Sequence, residues 1–239
     1  MGTIAKSTFV VVGAGGLGAP LALALALAGA GRLVLVDDDI VDLSNLPRQI
    51  LYRSSDVGRP KVVVAREALL RRGVAPARIE AVRTRFDATS AAALLHDASV
   101  VCDGSDDPAT KFFVNDAARA RGVAAVIAGV VRDQGNVFPV RVGDDAGACY
   151  RCLFEAPPGG DDVGPTCADA GVLGPRCGQV AAWQARVAIA LATGDDPDGL
   201  GRRVWLFDDG QSADAPRALE LRRREGCPTC AQAPTEDAA

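Results

Sequence analysis

The segment Gly13-Ala-Gly-Gly-Leu-Gly18 constrains this chain more than any other. It has GxGxxG spacing, follows the apolar run Phe9-Val-Val-Val12, and precedes a Leu/Ala-rich stretch over 17–28 with Pro20 in its first turn. Glycines so placed let the backbone turn tightly, approach a phosphate at the positive end of a helix and pack helix on strand. Asp37 ends the next apolar run, at the ~20-residue distance where an acidic side chain accepts from ribose hydroxyls. Taken alone, this unit points to a nicotinamide or flavin enzyme.

The alternation continues. Apolar runs at 33–36, 79–84, 99–103 and 123–128 read as strands, and 61–72, 89–95 and 108–121 as helices, the first opened by Pro60 and closed by Gly73. The order implies an α/β fold, a Rossmann-like doubly wound and mostly parallel sheet with right-handed crossovers. After Gly129 the character changes. Residues 136–142 read as a further strand, 149–152 as a tight cysteine turn, 155–165 as a mobile Pro/Gly/Asp loop, 174–192 as a helix, and 204–207 and 218–221 as strands. One domain over 1–239 is expected, with a nucleotide-binding part over about 6–130, a second part over about 131–230 and a frayed tail from Ala231.

Composition narrows the function. One histidine against seven cysteines excludes paired-histidine metal sites, so any zinc must lean on thiolates. A net charge of −4 argues against nucleic acid, and no polybasic membrane patch is present. Lys6 ahead of the apolar stretch 9–30 has the outline of a secretion signal, but the glycines at 13, 15 and 16 interrupt it and cleavage would discard the first strand and its turn. An odd cysteine count without secretion favours a reduced, cytoplasmic protein.

Two Cys-x-x-Cys pairs, Cys149/Cys152 and Cys227/Cys230, fit a tetrahedral four-thiolate zinc site. With no open position the metal would be structural, tying the chain end to the body. A redox pair is disfavoured, since neither pair is expected to open a helix after a strand. Cys102 lies in an apolar strand and reads as core.

Further motifs redirect the reading from oxidoreductase chemistry. Asp37-Asp-Asp-Ile-Val-Asp-Leu-Ser-Asn-Leu-Pro-Arg-Gln49, Val57-Gly-Arg-Pro-Lys61, Asp103-Gly-Ser-Asp106-Asp107, Thr166-Cys167 and the two cysteine pairs occur in this order. Over nearly the whole chain the pattern resembles the HesA/MoeB/ThiF family of ubiquitin-activating-enzyme-like adenylyltransferases. The resemblance implies that ATP activates the C-terminal glycine carboxylate of a ubiquitin-like sulfur-carrier protein, a partner ending in Gly-Gly, with release of pyrophosphate. It implies that Asn45, Arg48 and Lys61 reach the phosphates, that Asp37 reaches the ribose and that Gly16 and Gly18 line the turn. It also implies that Asp39, Ser44 and Asp107 complete the nucleotide site. Asp106 matches the position that holds Mg²⁺, a hard cation suited to oxygen ligands. Cys167 matches a sulfur-transfer or thioester cysteine of some relatives; Cys177 matches no role and reads as packing. A homodimer is also implied.

The chain departs from the family pattern in places. The family's N-terminal phosphate-binding arginine has no counterpart ahead of Phe9, Lys111 stands where Arg is common, and Asp107 where Asn is common. No sulfurtransferase segment follows Cys230, so a sulfur donor would be a separate protein. Two other readings stay open: a nicotinamide- or flavin-dependent oxidoreductase, which gives Arg48, Lys61 and Asp106 no use, and a nucleotide- or carrier-binding module with weak catalysis.

Overall fold

The strand and helix order expected from the sequence is present in the computed structural model, which describes residues 2–143, 147–158, 171–208 and 216–231. Strands β1 (Thr8–Val12), β2 (Arg32–Val36), β3 (Ile79–Val82), β4 (Val100–Asp103), β5 (Ala124–Val131), β6 (Gln134–Val140), β7 (Arg203–Phe207) and β8 (Arg217–Glu220) form one sheet in the order β3-β2-β1-β4-β5-β6-β7-β8. The five strands from β3 to β5 are parallel; β6, β7 and β8 add antiparallel. The described helices are α1 (Gly18–Leu27), α2 (Lys61–Leu70), α3 (Ala91–Leu95), α4 (Pro108–Ala120), α5 (Tyr150–Leu153), α6 (Gly174–Thr193) and α7 (Pro228–Ala231).

Burial on both faces explains the continuous apolar runs. Phe9 and Val11 of β1, with Leu33 and Leu35 of β2, join the core built with Leu21 and Leu25 of α1, Val62 and Leu69 of α2 and Val187 of α6. Val10, Val12, Val34 and Val36 point to the opposite core with Leu95 of α3 and Val114 and Ala118 of α4. In α1 the alternating Leu and Ala could pass for a strand, but helical spacing decides: Leu21 and Leu25 are fully buried, whereas Leu27 is 69% exposed.

Among the boundaries that differ from the sequence reading, one bears on the site. Gly129 does not end a strand; β5 runs on to Val131 because its last residues pair with β6, and the hairpin reverses at Arg132, whose φ of 56° is left-handed. Since β1 lies between β2 and β4, the strand order reverses there, opening the crevice at the carboxyl ends where ligands of doubly wound sheets bind. Among the described residues no helix is long and apolar enough to cross a membrane.

Candidate active site and cysteine cluster

The glycine turn lies over the carboxyl end of β1 and leads into α1. Gly13 has a φ of +84°, and a Cβ on Gly18 would collide with its carbonyl, so Gly18 sets the closeness of helix to strand. A Cβ on Gly16 would meet only ordinary neighbours, Cys177 Sγ at 3.4 Å and the Arg48 side chain at 3.5 Å. No side chain caps α1, but its first turn has few amides to spare: Ala19 N donates to Gly15 O, Leu21 N to Leu17 O, and Pro20 has no N–H. Asp37 buttresses the turn: Oδ2 accepts from Ala14 N at 2.6 Å and Oδ1 from Asp39 N at 2.8 Å. Burial raises the Asp37 pKa, while Lys61 and the two backbone donors oppose that rise.

Two cations come from the segment after β2. Lys61, the first residue of α2, is buried, with Nζ 2.7 Å from Asp39 Oδ2. Arg48 donates Nη2 to Asn45 Oδ1 at 2.5 Å and Nη1 to Ser44 O at 3.4 Å, which fixes its guanidinium. Gly16, Asp37, Asp39, Asn45, Arg48, Lys61, Asp106 and Asp107 all line one cavity of about 1140 Å³. Gly18 and Ser44 do not line it; the Ser44 hydroxyl and amide both bond Asp42.

The loop after β4 brings in the acidic residues. Asp106 is exposed at the cavity. Asp107 is committed to capping α4, its carboxylate accepting from Ala109 N, Thr110 N and Thr110 Oγ1. The loop is held by Lys111, whose Nζ donates to Asp103 Oδ2 at 2.8 Å, Ser105 O at 2.7 Å and Ala128 O at 2.6 Å. All three ammonium protons are thus used inside the protein.

The other half of the cavity is mixed: Val130 and Val131 of β5, Tyr150, Phe154, and Leu206 and Phe207 of β7 form its apolar wall, and Gln134, Asn136, Asp208 and Arg217 add polar groups. Burial pushes the Tyr150 phenol up to about 12, so it stays neutral near pH 7.

Behind Tyr150 the four cysteines converge. Cys149 Sγ lies 3.9 Å from Cys152 Sγ and 3.7 Å from Cys227 Sγ, and Cys152 Sγ lies 3.5 Å from Cys230 Sγ. All four sulfurs lie within 4.8 Å of one another, close to the ~3.8 Å edge of a tetrahedron with ~2.3 Å metal–sulfur bonds. This donor set could hold a zinc ion. One expectation is corrected: Cys149 is the N-cap of α5 and Cys227 precedes α7, so each pair does open a helix. A single turn is too short to leave a helical period in the sequence. Convergence of the pairs, and not the lack of a helix, argues against two separate redox motifs.

Residues 1–229 match the ThiF family model. This chain belongs to the ThiF family. It is 37% identical to a sulfur carrier protein adenylyltransferase of Thermus thermophilus over 97% of this chain and 84% of that protein. It is 39% identical to the adenylyltransferase and sulfurtransferase MOCS3 of Sus scrofa over 97% of this chain but only half of that protein. Among solved structures, Escherichia coli MccB shares the fold, with a TM-score of 0.78, 23% identity and coverage of 98% of this chain and 67% of that one.

Several residues of this ThiF site carry no role in the sequence reading. Tyr52, buried, donates its hydroxyl to Ala14 O at 2.6 Å, so Ala14 is held at its carbonyl by Tyr52 and at its amide by Asp37. The chain has only two tyrosines; Tyr52 bonds the glycine turn and Tyr150 lines the cavity, a rarity that could have flagged them. Gln49 is 3% exposed and lines the cavity with its Oε1 unpartnered. Arg85, beyond β3, adds a further cation at the cavity, 3.6 Å from Asp107. Cys177, read as packing, is buried but also lines the cavity. Cys167 lies outside the described residues.

Proposed function

We propose that this chain uses ATP to adenylylate the C-terminal glycine carboxylate of a ubiquitin-like sulfur-carrier protein. It is an adenylyltransferase. The observation that carries the substrate reading is a single cavity with two unlike halves. One half presents the glycine turn, Asp37, Arg48, Lys61 and Asp106; the other carries the apolar wall of Val130, Val131, Tyr150 and Phe154 beside the β5–β6 hairpin. At about 1140 Å³ it exceeds the ~300–1,000 Å³ usual for one small ligand, as expected of a site that joins two substrates.

In this reading the carrier carboxylate oxygen attacks the α-phosphorus of ATP, the bond to the bridging oxygen breaks, and pyrophosphate leaves with that electron pair. The products are acyl-adenylate and pyrophosphate. Two anions must meet and the leaving group gains charge, so donors aimed at the phosphates supply most of the rate. Arg48 and Lys61 are those donors, and Asp37 takes the ribose hydroxyls. Asp106 would hold Mg²⁺, which neutralises phosphate charge.

The four thiolates would hold a structural zinc, which ties the segment after β8 to the body. The name of the Thermus relative supports the carrier as substrate, and a homodimer belongs to the same reading. ATP–pyrophosphate exchange with a carrier ending in Gly-Gly tests it. Exchange is expected with the free carboxylate and not with the same carrier amidated at its C-terminus; ATP binding without exchange would instead favour the binding-module reading.

A further inference from the structure

We propose that Asp116 is the positioning residue that locks the two Cys-x-x-Cys turns in register, and that it thereby sets how firmly the four-thiolate site keeps its metal. The inference rests on the zinc reading above.

Asp116 belongs to α4, which contributes no cysteine. Its carboxylate nevertheless meets both turns. Arg151, between Cys149 and Cys152, donates Nε to Oδ1 at 2.8 Å and to Oδ2 at 3.0 Å, and Nη2 to Oδ2 at 2.8 Å. Thr229, between Cys227 and Cys230, donates Oγ1 to Oδ1 at 3.0 Å. Arg151 and Thr229 hold the same place in their turns, immediately before the second cysteine. One carboxylate therefore reads equivalent positions of both ligand pairs.

The neighbouring residue strengthens the anchor. Asn115 is fully buried, accepts from Tyr150 N at 2.8 Å and donates Nδ2 to Asp116 Oδ1 at 2.9 Å. Arg151 also stacks over the Phe112 ring of α4 at 4.9 Å. Charge-assisted, two-pronged bonds of this kind fix orientation as well as energy. Tetrahedral thiolate coordination needs four sulfurs from two distant segments at one spacing, and outer partners that orient ligands typically change metal affinity 10–100-fold when removed. By contrast, the Arg224–Glu155 pair beside the cluster joins side chains 34% and 75% exposed and is expected to matter little.

The test loads the full chain with zinc and follows transfer to a chromogenic chelator, with zinc content, thermal midpoint and ATP binding measured in parallel. Asp116→Ala is expected to release zinc at least ~10-fold faster than the parent while still binding ATP. Thr229→Val is expected to fall between them and Glu155→Gln to match the parent. Ala118→Gly, on the same helix and facing the core, should lower the thermal midpoint without speeding release, which separates positioning from general destabilisation. Parent-like release from folded Asp116→Ala overturns the proposal. If that variant does not fold, Thr229→Val decides: faster release supports the proposal and a parent rate overturns it. A parent chain that binds no zinc overturns the zinc reading itself, and this inference with it.

Discussion

The ammonium of Lys61 lies 2.7 Å from Asp39 Oδ2, yet the two residues are unequally placed: the lysine side chain is 7% exposed and the aspartate 67%. The lysine is held at the cavity wall, whereas its partner is open to solvent.

Lys61→Met is therefore expected to lower ATP–pyrophosphate exchange by about 10²–10³-fold, the usual loss when one donor to a developing charge is removed. Asp39→Asn should reduce exchange far less, because the Asp39 carbonyl still accepts from Lys61 N. Equal losses from the two substitutions would show that Asp39 acts on the substrate directly and would sink the donor role given to Lys61.

Asp107 gives a pH-dependent prediction. Burial favours its neutral form, but the bonds from Thr110 and Ala109 and the charge of Arg85 outweigh it, so its pKa is held below 3.8. A lowered folded pKa means that the stabilisation is complete above the unfolded value and is lost as pH falls through the folded one. Asp107→Ala should lower stability by about 1 kcal/mol at pH 7, as loss of a helix cap does. In urea melts the gap between parent and variant should persist to about pH 5 and close as acid protonates the parent carboxylate. A gap unchanged at pH 2 would rule out the charged cap.

How much of this was legible in the sequence follows from where each signal resides. Phe9 to Val12 and Leu33 to Val36 announce buried strands because apolar side chains continue without a break, and the structure seats them in the two cores. The motif residues Arg48, Lys61 and Asp106 could be brought to one cavity because parallel strands deliver their following loops to the same edge. Lys111 shows the limit. Two of its three acceptors are the carbonyls of Ser105 and Ala128, and no side-chain pattern encodes a backbone oxygen. The one-turn helices at Tyr150 and Pro228 were illegible for a different reason, having too few residues for a period. Tyr52 was hidden by distance: it meets Ala14 from 38 residues away.

Gly16 and Gly18 look equivalent in sequence and are expected to behave oppositely. A methyl on Gly18 would strike the Gly13 carbonyl, and the Asp103–Asp106 loop also packs close, with a Cβ on Gly104 2.9 Å from Gly18 N. Gly18→Ala should give unfolded or insoluble protein. Gly16→Ala has room among its neighbours and should keep the parent thermal midpoint, while losing ATP affinity by about 10-fold or more if the backbone there approaches phosphate. Calorimetry with ATP and a thermal melt distinguish the two; parent-like ATP affinity in Gly16→Ala would remove Gly16 from the nucleotide site.

The four-cysteine cluster makes the remaining prediction. Ligands that bind only the folded chain stabilise it by mass action, about 2.7 kcal/mol at a hundredfold excess over Kd. For a chain of this size that corresponds to a fall of about 5–10 °C in thermal midpoint on chelation. Re-addition of zinc should restore the parent. Cys227→Ser should show the lowered midpoint from the start and gain nothing from zinc, since three thiolates and a hydroxyl no longer match the site. The apolar wall of the cavity shares the Tyr150 turn with the cluster, so chelated protein should keep ATP binding but lose more exchange at low carrier concentration than at high. Elemental analysis finding less than about a tenth of a zinc per chain after expression in zinc-supplemented medium would exclude a resident structural metal, whose affinity should keep the site filled.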